Sequence, residues 1–234
     1  MVFAREVDGQ TLTFGVSGSL LMNALVMYDH ETDSLWSQVL GRAVEGPLAG
    51  KELRRLPALQ TEWGAWRELH PDTLVLDTAA WEVADPYEAY YASGAAGVLG
   101  EARRDERLPR KALVVGVLAD GAARAYPLEA LRAHPVVNDA VGGQPVVVAL
   151  DPATDTVVVF SRRVGERALT FAAGRERLGL RDRETGSTWH VLTGQALSGP
   201  LEGRRLGRLP AHTAFWFAWK DFYPHTEVWA PEDG

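Results

Sequence analysis

The chain has 234 residues, 46% of them apolar, no cysteine and a formal net charge of −7. That is enough apolar material for packed cores and too much for a disordered chain, while the acidic excess argues against non-specific binding to nucleic acid or an anionic membrane. Without cysteine, disulfides, thiolate metal sites and a cysteine nucleophile are excluded within this chain, and no stretch approaches the ~20 apolar residues of a membrane-spanning helix.

Taken in order, residues 2–7 and 10–14 predict a hairpin over Asp8-Gly9, a pair suited to a type I′ turn. The opening has no basic start followed by an apolar run, so no signal-peptide pattern is present in the chain as it stands. A strand-turn-strand follows around residues 29–34, with Trp36 on the second strand, and Gly41, Gly46, Pro47 and Gly50 punctuate the next stretch. Thr61 reads as an N-cap with Glu62 in the first turn. Trp63, Trp66 and Leu69 then repeat at helical spacing up to His70-Pro71, and residues 73–76 read as a strand. Residues 77–111 read as a charged surface linker with a short helix over 86–92. Beyond it, 112–118 and 122–126 form a hairpin over Asp120-Gly121, 128–133 a short helix, and 136–141 and 145–150 a hairpin over Gly142-Gly143. Short strands and frequent turns predict a mainly β fold with a few short helices (α+β), its sheets antiparallel.

The chain contains part of itself twice. Residues 27–76 and 180–229 align without a gap at an offset of 153, with 22 of 50 positions identical. The opening also recurs, Val2-Phe3 matching Val159-Phe160 at an offset of 157. The sequence therefore divides into a first unit at 1–76, the linker, and a second unit at 112–234. The second unit has a front half (112–157) and a back half (158–229), whereas the first unit has a back half alone. That asymmetry leaves the strands at 2–7 and 10–14 without their usual neighbours. An exposed edge of this kind is a template for pairing with another chain, so a homodimer is expected ahead of covering by the chain's own segments.

Candidate chemistry is sparse. Asp29, Glu31, Thr32 and Ser34 are mirrored by Asp182, Glu184, Thr185 and Ser187. A polar ligand site is one reading and a strand-connecting turn the stronger one, because Asp and Ser bond nearby backbone N–H groups. Trp63, Trp66, Trp216 and Trp219 are expected in the core, where indole is usually buried with its N–H satisfied. The first copy is the more polar where the two differ. Asp29, Ser34, Trp36, Gln38 and His70 are therefore the ligand-binding candidates, with Gln38 placed to orient a ligand beside Trp36. The six histidines show no metal-binding spacing, so no cofactor and no metal is expected; His134, Asp139 and Asp151 are outside candidates for a site assembled in three dimensions. Ser17 in GVSGS only loosely resembles a nucleophile elbow.

The stretches Leu12-Thr13-Phe14-Gly15-Val16-Ser17-Gly18, Leu25-Val26-Met27-Tyr28-Asp29 and Ser34-Leu35-Trp36-Ser37-Gln38 resemble the DUF3179 family of bacterial and archaeal proteins of unknown function. The second unit matches through Ala123-Arg124-Ala125-Tyr126-Pro127, Val137-Asn138-Asp139 and Phe215-Trp216-Phe217-Ala218-Trp219. The resemblance implies a Cys-Pro-Leu-Cys-Gly-Thr motif where this chain reads Asp151-Pro152-Ala153-Thr154-Asp155-Thr156, so only Pro152 and Thr156 agree. It also implies an exported full-length protein, whereas the chain itself reads as soluble. The leading functional expectation is a non-catalytic duplicated β-rich module that binds a small ligand between its units. The alternatives are a fragment or departed relative of a thiol- or metal-dependent redox or enzymatic protein whose cysteines precede Met1, and a carbohydrate-binding module.

Overall fold

The computed structural model describes residues 1–77 and 87–231. The protein is mostly β, built from several antiparallel sheets with four short helices among the described residues. The opening hairpin pairs Glu6–Val7 with Gln10–Thr11 over Asp8 and Gly9, at φ 50° and 81°. Type I′ turns require positive φ at both central residues. The other two predicted hairpin turns are built the same way, Asp120-Gly121 at 47° and 79° and Gly142-Gly143 at 57° and 79°.

Two sheets are four-stranded antiparallel meanders in sequence order. The first runs Phe14–Leu21, Ala24–Asp29, Leu35–Ser37 and Arg42–Glu45; the second runs Phe171–Ala173, Gly179–Asp182, Thr188–His190 and Ala196–Ser198. Fully buried Trp36 and Trp189 centre the two cores. Each indole meets a phenylalanine edge-on, Phe14 at 5.6 Å and Phe171 at 5.8 Å.

The front half supplies the rest of the core. Val136–Val141, Gln144–Asp151 and Thr156–Ser161 form a three-stranded sheet. Leu113–Ala119 and Ala122–Pro127 sit at the centre of another, flanked by Ala211–Phe215 on one side and, in parallel, by Glu227–Val228 on the other. The helices are α1 (Trp63–Leu69), α2 (Glu88–Ala92), α3 (Leu128–Ala133) and α4 (Trp216–Phe222). A side chain at Gly116 would collide with the Trp219 ring, so glycine at the middle of that strand lets α4 lie close on the sheet.

Several local expectations are corrected. Residues 73–76 form no strand, and Leu74, Val75 and Leu76 are exposed. Glu227–Val228, 153 positions on from 74–75, is a strand because Ala122–Pro127 offers it an edge; among the described residues no strand pairs with residues 73–76. The N-cap of α1 is Glu62, without a side-chain cap, and the Thr61 hydroxyl instead bonds Thr156 at 2.8 Å. Trp63 is 46% exposed and Trp66 only partly buried, whereas Trp216 and Trp219 are fully buried. Residues 2–7 split into two pairings, and Val2–Phe3 pairs with Arg55–Leu56, so this opening strand is not left unpaired. The linker helix was expected from Pro86, which lies outside the described residues; α2 covers Glu88–Ala92.

The linker's charged end docks on α4 through buried charge. Lys220, 1% exposed, meets Glu101 at 3.0 Å and Asp221 at 3.2 Å and donates to the Arg103 carbonyl. Asp221 accepts from the backbone N–H groups of Ala102 at 2.8 Å and Arg103 at 2.9 Å. Burying both charges is tolerated because each is paired and hydrogen-bonded.

Candidate functional site

Three of the five sequence candidates share one buried network. The Asp29 carboxylate accepts from the Thr32 N–H at 2.6 Å, the Thr32 hydroxyl at 2.8 Å and the Trp36 indole at 2.8 Å. Ser34 shares a hydrogen bond with Thr32 at 2.7 Å and accepts from the Leu48 N–H at 3.0 Å. Burial alone would raise the Asp29 carboxyl, but the hydrogen bonds from Trp36 and Thr32 outweigh it and hold it below its ordinary value. The network recurs at Asp182, Thr185, Ser187, Trp189 and Leu201 with matching distances. The donors that engage Asp29 are internal, and the ring of Trp36 is fully enclosed. This arrangement serves a turn and a core.

The other two candidates lie apart from it. Gln38 is partly buried and its backbone N–H bonds the Leu25 carbonyl at 3.3 Å. His70 is exposed at the end of α1, stacked on Trp66 with ring centroids 4.2 Å apart. The outside metal candidates are engaged separately. Asp139 pairs with Arg124 at 2.6 Å and accepts from the Tyr126 hydroxyl at 2.8 Å; burial and this carboxylate push the phenol well above its usual range. His134 lies edge-on to Trp229. Asp151 accepts from the Thr154 hydroxyl at 2.9 Å and lies 3.4 Å from Arg177. Among the described residues no group of three or more His, Asp or Glu is arranged to hold a metal.

The stretch 151–156 is a third turn of the Asp29 kind. Asp151 is bonded by Thr154, Thr154 bonds Thr156 at 2.7 Å, and Asp155 has φ 50°. Asp33 and Gly186 hold the matching left-handed position at 56° and 73°. The shared pattern Asp-x-x-Thr-x-Ser/Thr is visible in the sequence once the three turns are set together.

A large concavity lies elsewhere. A cleft of about 910 Å³ opens between α1 with its preceding loop and the sheet containing Leu113–Ala119 and Ala211–Phe215. Leu59, Trp63 and Trp66 face it from one side, and Val115, Leu118 and Leu128 also line it. Polar groups enter at Arg55, Arg132, Asp155, Arg208, His212 and Thr213. Arg132 and Asp155 are paired, with a hydrogen bond of 2.9 Å. Burial, with help from nearby Arg55, lowers the His212 imidazole to about 4. None of Asp29, Ser34, Trp36, Gln38 and His70 lines the cleft. Sequence reasoning missed Arg55 and Arg208; their only signal was that arginine stands at both positions, 153 apart.

The model of DUF3179, described as a protein of unknown function, matches residues 1–226. The chain belongs to the DUF3179 family. The matched span contains every residue that lines the cleft and all three Asp-Thr turns. No curated protein and no solved structure matches the chain.

Proposed function

We propose that this DUF3179 chain is a non-catalytic binding module of two β-rich units, related by internal duplication, that holds a small molecule in the cleft between them. The cleft itself carries the reading. Its volume of about 910 Å³ lies within the range of small-molecule sites, and its apolar walls carry a few convergent polar groups, as such sites do. Duplication is supported by the hydrogen-bond network that recurs 153 positions apart around Trp36 and Trp189. The non-catalytic part is supported by how the polar groups are used: the Asp29 and Asp182 carboxylates are engaged by internal donors, and Asp155 is paired with Arg132.

The test is binding of the fluorescent probe anilinonaphthalene sulfonate. Thr213 is exposed on a strand and lines the cleft, so Thr213→Trp fills the space without disturbing the core. It should abolish the probe's fluorescence gain, while Val16→Trp, on an exposed position outside the cleft, should preserve it. Unchanged probe binding by Thr213→Trp would refute the cleft as the site. A second reading, a carbohydrate-binding module, is favoured by one observation: Trp63 is 46% exposed and lines the cleft. Glycan quenching of fluorescence that Trp63→Phe removes would support it.

A further inference from the structure

We infer that the cleft takes an amphiphilic anion, a carboxylate on an apolar body, with Arg208 as its anchor. This rests on the cleft being the binding site. Arg55 and Arg208 stand 153 positions apart, both line the cleft, and each lies over a phenylalanine ring, Phe3 and Phe160, at 5.6 Å. They differ in what else they hold. A terminal nitrogen of Arg55 donates to the carbonyls of Val39 and Leu40 at 2.8 Å and to the Tyr223 hydroxyl at 3.0 Å. Arg208 donates to the Leu192 carbonyl and makes no other hydrogen bond among the described residues. One difference lies at a single position: the Tyr223 hydroxyl reaches Arg55, whereas its counterpart His70, though packed on Trp66 as Tyr223 is on Trp219, is exposed.

Arg208 is thus a partly buried cation with no carboxylate within ion-pair distance among the described residues. Burial and nearby Arg205 both work against its charge, yet a guanidinium keeps its proton in proteins. A counter-ion from outside relieves that deficit. The planar fork matches a carboxylate through two parallel hydrogen bonds; Arg55 also lines the cleft without a carboxylate partner among the described residues, but its donors are taken up by neutral acceptors, so Arg208 is the one with donors to spare. Arg132 is already neutralised by Asp155. Glu62 also lines the cleft, but it is exposed, so solvent and salt screen its repulsion. The walls at Leu113, Val115, Leu118, Leu128 and Val157 are apolar and suit an apolar body.

The experiment is calorimetric titration of the full chain with decanoate, decanol and decylamine. Decanoate should bind roughly tenfold or more tightly than decanol, the gain of one charge-assisted pair, and decylamine weakest. Arg208→Met should remove the preference, and Arg208→Lys should retain part of it. Equal affinity for decanoate and decanol, with both lost in Thr213→Trp, overturns the anion inference and leaves the cleft reading standing. Binding by none of the three overturns both. The wild-type comparison needs no variant, so it decides the matter even where Arg208→Met fails to fold.

Discussion

Trp63 and Trp216 are the same residue at equivalent positions, yet one is 46% exposed and the other fully buried. Trp216 donates to the Asp105 carbonyl and Trp219 to Thr226 at 2.8 Å, so both indoles are buried and satisfied. Trp219→Ala should therefore cost about 3–5 kcal/mol, whereas Trp63→Ala should stay within about 1 kcal/mol; urea unfolding of the two variants checks the contrast. His212 adds a pH dependence. Its imidazole sits at about 4 in the fold against 6.5 ordinarily. Between those values the unfolded chain binds a proton that the folded chain does not, so stability falls as pH drops from 6.5 towards 4. The loss reaches about 3 kcal/mol at most, at ~1.4 kcal/mol per pH unit. Asp29 and Asp182 act lower: both are depressed below 3.8 in the fold, so their stabilisation is present above that pH and is lost below it. Urea midpoints from pH 8 to pH 4 should slope downward towards acid, and His212→Asn should flatten that stretch.

At the scale of elements, a strand forms where an edge receives it. Val75 and Val228 are equivalent, but Val75 is 70% exposed and Val228 pairs with Ala125. Val228→Lys should cost about 1–2 kcal/mol, and Val75→Lys should change stability by about 0.5 kcal/mol or less, as thermal unfolding will show. The linker's docking on α4 is a second element-level dependence. Asp221→Ala leaves the Ala102 and Arg103 N–H groups without their acceptor, while Lys220 keeps Glu101 and the Arg103 carbonyl, and unsatisfied donors of this kind cost about 1–3 kcal/mol. The linker should loosen with it, which limited trypsin digestion reads as faster cleavage at Arg103 and Arg104.

At the scale of the molecule, α1 reaches the second unit. Leu59 and Leu69 pack against the core around Phe160 and Trp189, and Tyr223 of α4 bonds Arg55 of the first unit. The cleft is the space left between these crossings. The strand Phe14–Leu21 remains an edge of its sheet, and its register shifts between Val16 and Leu20, with Gly18 at φ 77°. Such irregular edges resist strand pairing. A homodimer would have to pair through such an edge; light scattering across micromolar concentrations checks it, and a strict monomer throughout would leave covering by the chain's own segments.

The turns, the helix at 128–133, the β-rich class and the family were all legible in the chain, because each depends on local backbone preference or on side-chain pattern. Asp8-Gly9 and Asp120-Gly121 permit positive φ wherever they occur, and Asp29 finds Thr32 within its own turn. What surrounds Trp63, whether residues 73–76 become a strand, and which arginine is left without a partner are contacts between segments far apart in sequence. Identical residues such as Val75 and Val228, or Arg55 and Arg208, diverge there, because burial and pairing belong to the assembled neighbours and not to the residue.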